Sequence, residues 1–186
     1  MIEGAIRCAR DLCQRGEISG VIGVGGSMGT ALGTAVMRAL PFGLPKLMIS
    51  TMASGMTRPY VGTRDIMMMH SVADISGLNR ITRSVFRNGA LAMAGMARAW
   101  QPEEKSARPL VAMTTLGTTE RCSARIRKAL EERGYEVVVF HTTGAGGQAM
   151  EEIVREQDVA FVVDLSLVEV VDFLNHGLCS AGVRGI

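Results

Sequence analysis

Glycine, serine and threonine crowd six short stretches of this chain, each lying where an apolar run gives way to a loop or an amphipathic run. They are Gly25-Gly26-Ser27-Met28-Gly29-Thr30, Ser50-Thr51 with Ser54-Gly55, His70-Ser71, Thr114 to Thr119, His141 to Gly147, and Asp164-Leu165-Ser166. These residue types suit anion binding. Glycine lets a phosphate approach the backbone, hydroxyls donate to its oxygens, and the N-terminus of a following helix favours negative charge. One such loop is weak support, because helices need N-caps in any case. GVGGSMGT also fits a tight strand-to-helix turn, and TTLGTTE also fits an ordinary helix start. HTTGAGG holds more glycine than a cap requires, which favours ligand approach. Arg58, in the long segment 52–65, suits an anion contact through its guanidinium, with a solvated surface arginine as the alternative.

Groups for proton transfer are sparse. His70, His141, Asp65, Asp74 and Asp164 fall near strand ends, and His70 or Asp164 would carry a proton if the chain were an enzyme. Ser50 and Ser54 lack the nucleophile elbow G-x-S-x-G. The P-loop pattern is absent, Gly23-x-Gly25-x-x-Met28 lacks the third glycine of the dinucleotide fingerprint, and Lys46 to Thr51 does not end in an acid. NAD binding and a self-contained kinase site are therefore disfavoured. Cys8, Cys13, Cys122 and Cys179 show no metal-ligand spacing, so no metal site is evident, and their scatter suits reduced thiols in a cytoplasmic protein.

The elements that must position these loops follow from periodicity. Residues 2–14 read as an amphipathic helix, 20–24 as a buried strand, and Ser27 as the N-cap of a helix running to about Leu40. Lys46 to Thr51 and Ile66 to Val72 read as strands, Asn79 to Trp100 as a helix rich in small residues. After the polar linker 101–108 the pattern restarts: strand 110–115, helix 120–133, strand 136–140, helix 147–157, strand 159–164 and a short helix 167–174. Continuous apolar strands alternating with amphipathic helices indicate α/β architecture, a doubly wound parallel sheet in two Rossmann-like halves, 1–100 and 109–186.

Composition excludes other classes. A net charge of +2 with aromatics at 4% gives no basic, stacking surface for nucleic acid. The longest low-charge stretch, 88–97, is far below the ~20 residues of a membrane span. Thirteen methionines are many, and filling irregular core gaps accounts for most of them.

The stretches GVIGVGGSMGTALGTAVMRALPFGLPKLMISTMASG and RPYVGTRDIMMMHSVADISGLNRI, with AMTTLGTTERC and FHTTGAGGQAMEEIV, resemble the Tm-one-like ATP-binding domain family, relatives of a plant tobamovirus-resistance protein. The resemblance covers essentially the whole chain. It implies longer proteins, so the chain is expected to be a fragment or truncated core. It implies a crevice between two Rossmann-like halves that takes ATP or another phosphorylated small molecule. Carried onto this sequence, the phosphate contacts are Gly25, Gly26, Ser27, Gly29 and Thr30, and in the second half Gly117, Thr118, Thr119, Thr143, Gly144, Gly146 and Gly147; Ser50, at a strand end, and Arg58, in the long loop, join them from the residues themselves. The resemblance supplies no catalytic residue. Two other functions stand beside it: an enzyme acting on a small carbonyl or carboxylate metabolite, and a homo-oligomeric scaffold joined through the small residues of 88–97.

Overall fold

The computed structural model describes residues 1–102 and 106–183. The chain divides into two compact units, Met1–Glu104 and Lys105–Ile186, a division that falls inside the expected linker. Each unit builds a three-stranded parallel sheet with helical crossovers, the α/β class expected from the sequence.

In unit 1 the elements are α1 (Ile2–Gln14), β1 (Val21–Gly25), α2 (Ser27–Arg38), β2 (Lys46–Ser50), α3 (Arg58–Val61), β3 (Met67–His70) and α4 (Arg80–Ala99). The strand order is β1-β2-β3. Every residue of β2 is buried, because the central strand of a parallel sheet is covered on both faces. Successive side chains of β2 show the two covers. Met48 faces α2 through a slot at Gly23, where a Cβ would come within 2.6 Å of the Met48 sulfur. Ile49 faces α4, where a Cβ on Gly89 would come within 2.5 Å of Ile49 Cδ1. Small residues in β1 and α4 therefore serve close packing. The methionines divide accordingly: Met37, Met48 and Met93 are buried in this core, whereas Met28 and Met56 are exposed.

Lys46 opens β2 and is buried. Its Nζ donates to Pro41 O at 2.6 Å, Leu44 O at 3.0 Å and Asp65 Oδ1 at 2.8 Å. Asp65 Oδ2 accepts from Gly43 N at 2.9 Å. All three donor positions of the ammonium thus have acceptors, as a buried cation demands. Asp65 precedes β3, so the strand end it lies near is at the amino edge of the sheet.

In unit 1 the details differ from expectation. Segment 52–65 is not irregular throughout, since it holds a 3-10 turn (Thr51–Ser54) and α3, with Arg38 Nη1 donating to Pro59 O and Tyr60 O. β3 stops at His70, short of Val72, because Val72 adopts φ 66, a left-handed conformation that a β-branched residue in a strand cannot hold. Gly26 is the N-cap of α2, and Ser27 is its first residue.

Unit 2 contains β4 (Leu110–Thr115), a 3-10 turn (Gly117–Thr119), α5 (Glu120–Glu131), β5 (Glu136–His141), α6 (Ala145–Glu156), β6 (Val159–Val163) and α7 (Val168–Leu174). α6 starts at Ala145, before the expected Gly147. The strand order is β5-β4-β6, so the chain reverses direction across β4 and creates a switch point between β4 and β6. Among the described residues no helix is long and apolar enough to cross a membrane.

Candidate functional site

The carboxyl edge of the unit 1 sheet is defined by register. Gly25 pairs with Ser50 and Ser50 with His70, so the three strand ends lie side by side. The loop after β1 brings Gly25, Gly26, Ser27, Gly29 and Thr30 to this edge, but they do different jobs. Gly25 is needed by the turn, since a Cβ there would sit 2.8 Å from Gly29 Cα. Thr30 and Ser50 are fully buried and face each other, with their hydroxyls 2.6 Å apart. Thr30 Oγ1 also donates to Gly26 O at 2.7 Å, and Ser50 Oγ accepts from Met52 N at 2.9 Å. These two hydroxyls hold the loop from beneath, bonded to each other and closed off from solvent.

Gly26 and Gly29 have no such duty. A Cβ on Gly26 would meet Thr51 Oγ1 at 3.8 Å, and one on Gly29 would meet Val24 O at 3.7 Å, both ordinary contacts. Gly26 has φ −76, a conformation open to any residue. The fold itself does not ask for glycine at either place. No side chain caps α2, its first turn holds no acid, and Ser27, Met28 and Gly29 are exposed. The positive end of this helix is therefore presented bare to solvent. Beside it the 3-10 turn after β2 borders an open pocket of about 380 Å³ lined by Thr51, Met52, Ser54, Met56, Pro59 and Tyr60. Arg58, next to Pro59, is exposed at the start of α3. His70 is exposed, and its side chain makes no hydrogen bond or ion pair among the described residues.

The carboxyl edge of unit 2 is filled from within. Gly144 adopts φ 86, and a Cβ on Gly146 would lie 1.9 Å from His141 O. Both glycines are thus demanded by the turn. The amides of Gly144 and Gly147 donate to Glu169 Oε1, at 2.7 and 3.0 Å, and Glu169 is fully buried. The N-terminus of α6, expected to face a ligand, faces this carboxylate. At the switch point Thr114 Oγ1 donates to Asp164 Oδ1 and accepts from Ser166 N at 3.2 Å, while the hydroxyls of Ser166 and Thr142 lie 2.9 Å apart. Thr119 Oγ1 closes the turn at Leu116, accepting from its N at 3.0 Å. Gly117, Thr118 and Thr143 are exposed, and nothing opposes a Cβ at Gly117. Glu120 opens α5 and places an acid in its first turn. Sequence reasoning passed over Glu169; its signal was a lone acid inside the apolar run LSLVEVV.

No cluster of three or more His, Cys, Asp or Glu residues able to hold a metal occurs among the described residues.

Residues 1–102 match the N-terminal domain of the uncharacterised protein family UPF0261, and residues 108–184 match its C-terminal domain. The chain belongs to UPF0261. Among its UPF0261 relatives, the UPF0261 protein of Clostridium tetani is 43% identical over 182 residues, covering 98% of this chain and 45% of that protein. A UPF0261 protein of Mesorhizobium japonicum is 44% identical over 173 residues, 93% of this chain and 43% of the relative. The ToMV resistance protein Tm-1(GCR237) of Solanum lycopersicum is 42% identical over 167 residues, 87% of this chain and 22% of that protein. The chain spans less than half the length of these curated relatives.

Proposed function

We propose that unit 1 binds a phosphorylated small molecule at the N-terminus of α2. The observation that carries this reading is the pair Gly26 and Gly29, side-chain-free where the fold needs no glycine, in front of an uncapped helix. Backbone amides of the first turn and the Ser27 hydroxyl would hold the phosphate, with Arg58 as the charged contact. The pocket between Thr51 and Tyr60 would receive the rest of the ligand. The resemblance to an ATP-binding domain family makes ATP the first ligand to try, and the four free thiols suit a cytoplasmic setting.

Isothermal titration with ATP, ADP and simple phosphate esters tests the reading. At least one should bind, and Gly26→Val, whose backbone conformation suits valine, should weaken binding about tenfold or more while folding normally. No heat with any phosphate ester would defeat it. An acid–base enzyme is less well supported, since exposed His70 lacks an acidic partner among the described residues and Asp164 is engaged by Thr114. A homo-oligomer through α4 is the second reading. Gly89 is spent on Ile49, but Leu91 is exposed together with Ala90, Ala92, Ala94 and Gly95. A clean monomer by light scattering would remove it.

A further inference from the structure

α7 is a seven-residue helix with much of its apolar surface in solvent: Leu167, Val171 and Leu174 are exposed, and Leu178 beyond it is fully so. Apolar burial is therefore a weak restraint on this segment. What ties it to unit 2 is polar. Ser166 joins Thr142 and Thr114, and Glu169 sends a carboxylate into a fully buried position against the amides of Gly144 and Gly147. The amides belong to the N-cap and the first turn of α6, a helix of 12 residues, so the carboxylate sits where the helix favours an anion. Hydrogen bonds to an ionised acceptor are about twice as strong as neutral ones. The loop is shaped for this contact, with Gly144 in a left-handed turn and Gly146 pressed on His141 O.

We propose that Glu169 is a latch: an internal anion that occupies the α6 amides, fixes α7 against the unit, and bars external phosphate from this loop. It goes beyond the binding reading for unit 1 and stands without it. Because the carboxylate is tethered, it competes at an effective concentration on the order of millimolar or more, so a free anion does not displace it easily. Removing the carboxylate should free both the helix and the amides. α7 would open, and the Gly144 and Gly147 amides would accept an anion from solution.

The test is an inorganic phosphate titration of the full chain, read at backbone amides by NMR, with hydrogen exchange of 168–174. In the wild type the Gly144 and Gly147 amides should stay still through the millimolar range. In Glu169→Ala they should shift saturably, and α7 should exchange about tenfold faster or more while β4 stays protected. Should Glu169→Ala fail to fold, the neutral and isosteric Glu169→Gln supplies the exchange measurement, again with faster α7 and protected β4. Wild-type amides that titrate as readily as those of Glu169→Ala overturn the latch. So do phosphate-silent amides in Glu169→Ala, or α7 exchange unchanged in the variant that folds. The Ser27–Gly29 amides in the same spectra report unit 1 separately, so failure of one reading is not mistaken for failure of the other.

Discussion

GVGGSMGT and HTTGAGG look like the same device in sequence: a strand end, several glycines, hydroxyls and a helix. Their structures part company over what the fold already consumes. In the second loop each glycine whose surroundings are defined has an internal cause, Gly144 a left-handed turn and Gly146 a carbonyl 1.9 Å from any Cβ. The helix behind it already holds an anion, Glu169. In the first loop Gly25 is consumed by the turn, but Gly26 and Gly29 are not, and α2 is neither capped nor given an acid in its first turn. A glycine-rich loop becomes a candidate site through the glycines that packing leaves unexplained. By that measure the first loop qualifies and the second, nearly as dense in glycine, does not.

The contrast can be broken by substitution. The largest effect is expected from Gly146→Ala, where the new methyl collides with backbone that cannot move away. A loss above about 3 kcal/mol in denaturant unfolding is anticipated, whereas a loss below 1 would mean the loop has slack. Thr30→Val comes next. It removes the bonds to Gly26 O and Ser50 Oγ and should cost about 1–2 kcal/mol, since a buried hydroxyl loses its partner. Gly29→Ala should leave stability unchanged or raise it by about 0.5 kcal/mol through helix propensity. The same change should weaken phosphate binding, and a destabilised Gly29→Ala would show that the fold does use this glycine. Arg58→Gln has the smallest expected effect: stability within about 0.5 kcal/mol of wild type and affinity for phosphate esters lowered severalfold. Unchanged affinity would return Arg58 to an ordinary surface residue.

Much of the fold was legible in the sequence for a simple reason. The apolar runs LMI in β2 and LVAM in β4 are local, and a parallel strand buried on both faces has no other appearance. The end of β3 was misread by two residues because the left-handed turn at Val72 leaves no mark in residue type. The site was less legible, since a glycine looks the same whether a ligand, a carbonyl or a positive φ requires it. The deciding partners are distant in the chain. Glu169 lies 25 residues from Gly144, and Thr30 lies 20 from Ser50, so neither contact shows in any local pattern. Thr30 was grouped with the ligand contacts through the resemblance and Ser50 through its place at a strand end, whereas both side chains are fully buried and bonded to each other beneath the loop.

One measurement bears most directly on the difference between the two helix starts: titrate the wild-type chain with ATP and inorganic phosphate, and follow the backbone amides of both loops. Saturable shifts at Ser27, Met28 and Gly29, with Gly144 and Gly147 still, are what the account predicts. Shifts at Gly144 and Gly147 with Ser27 to Gly29 unmoved would contradict it.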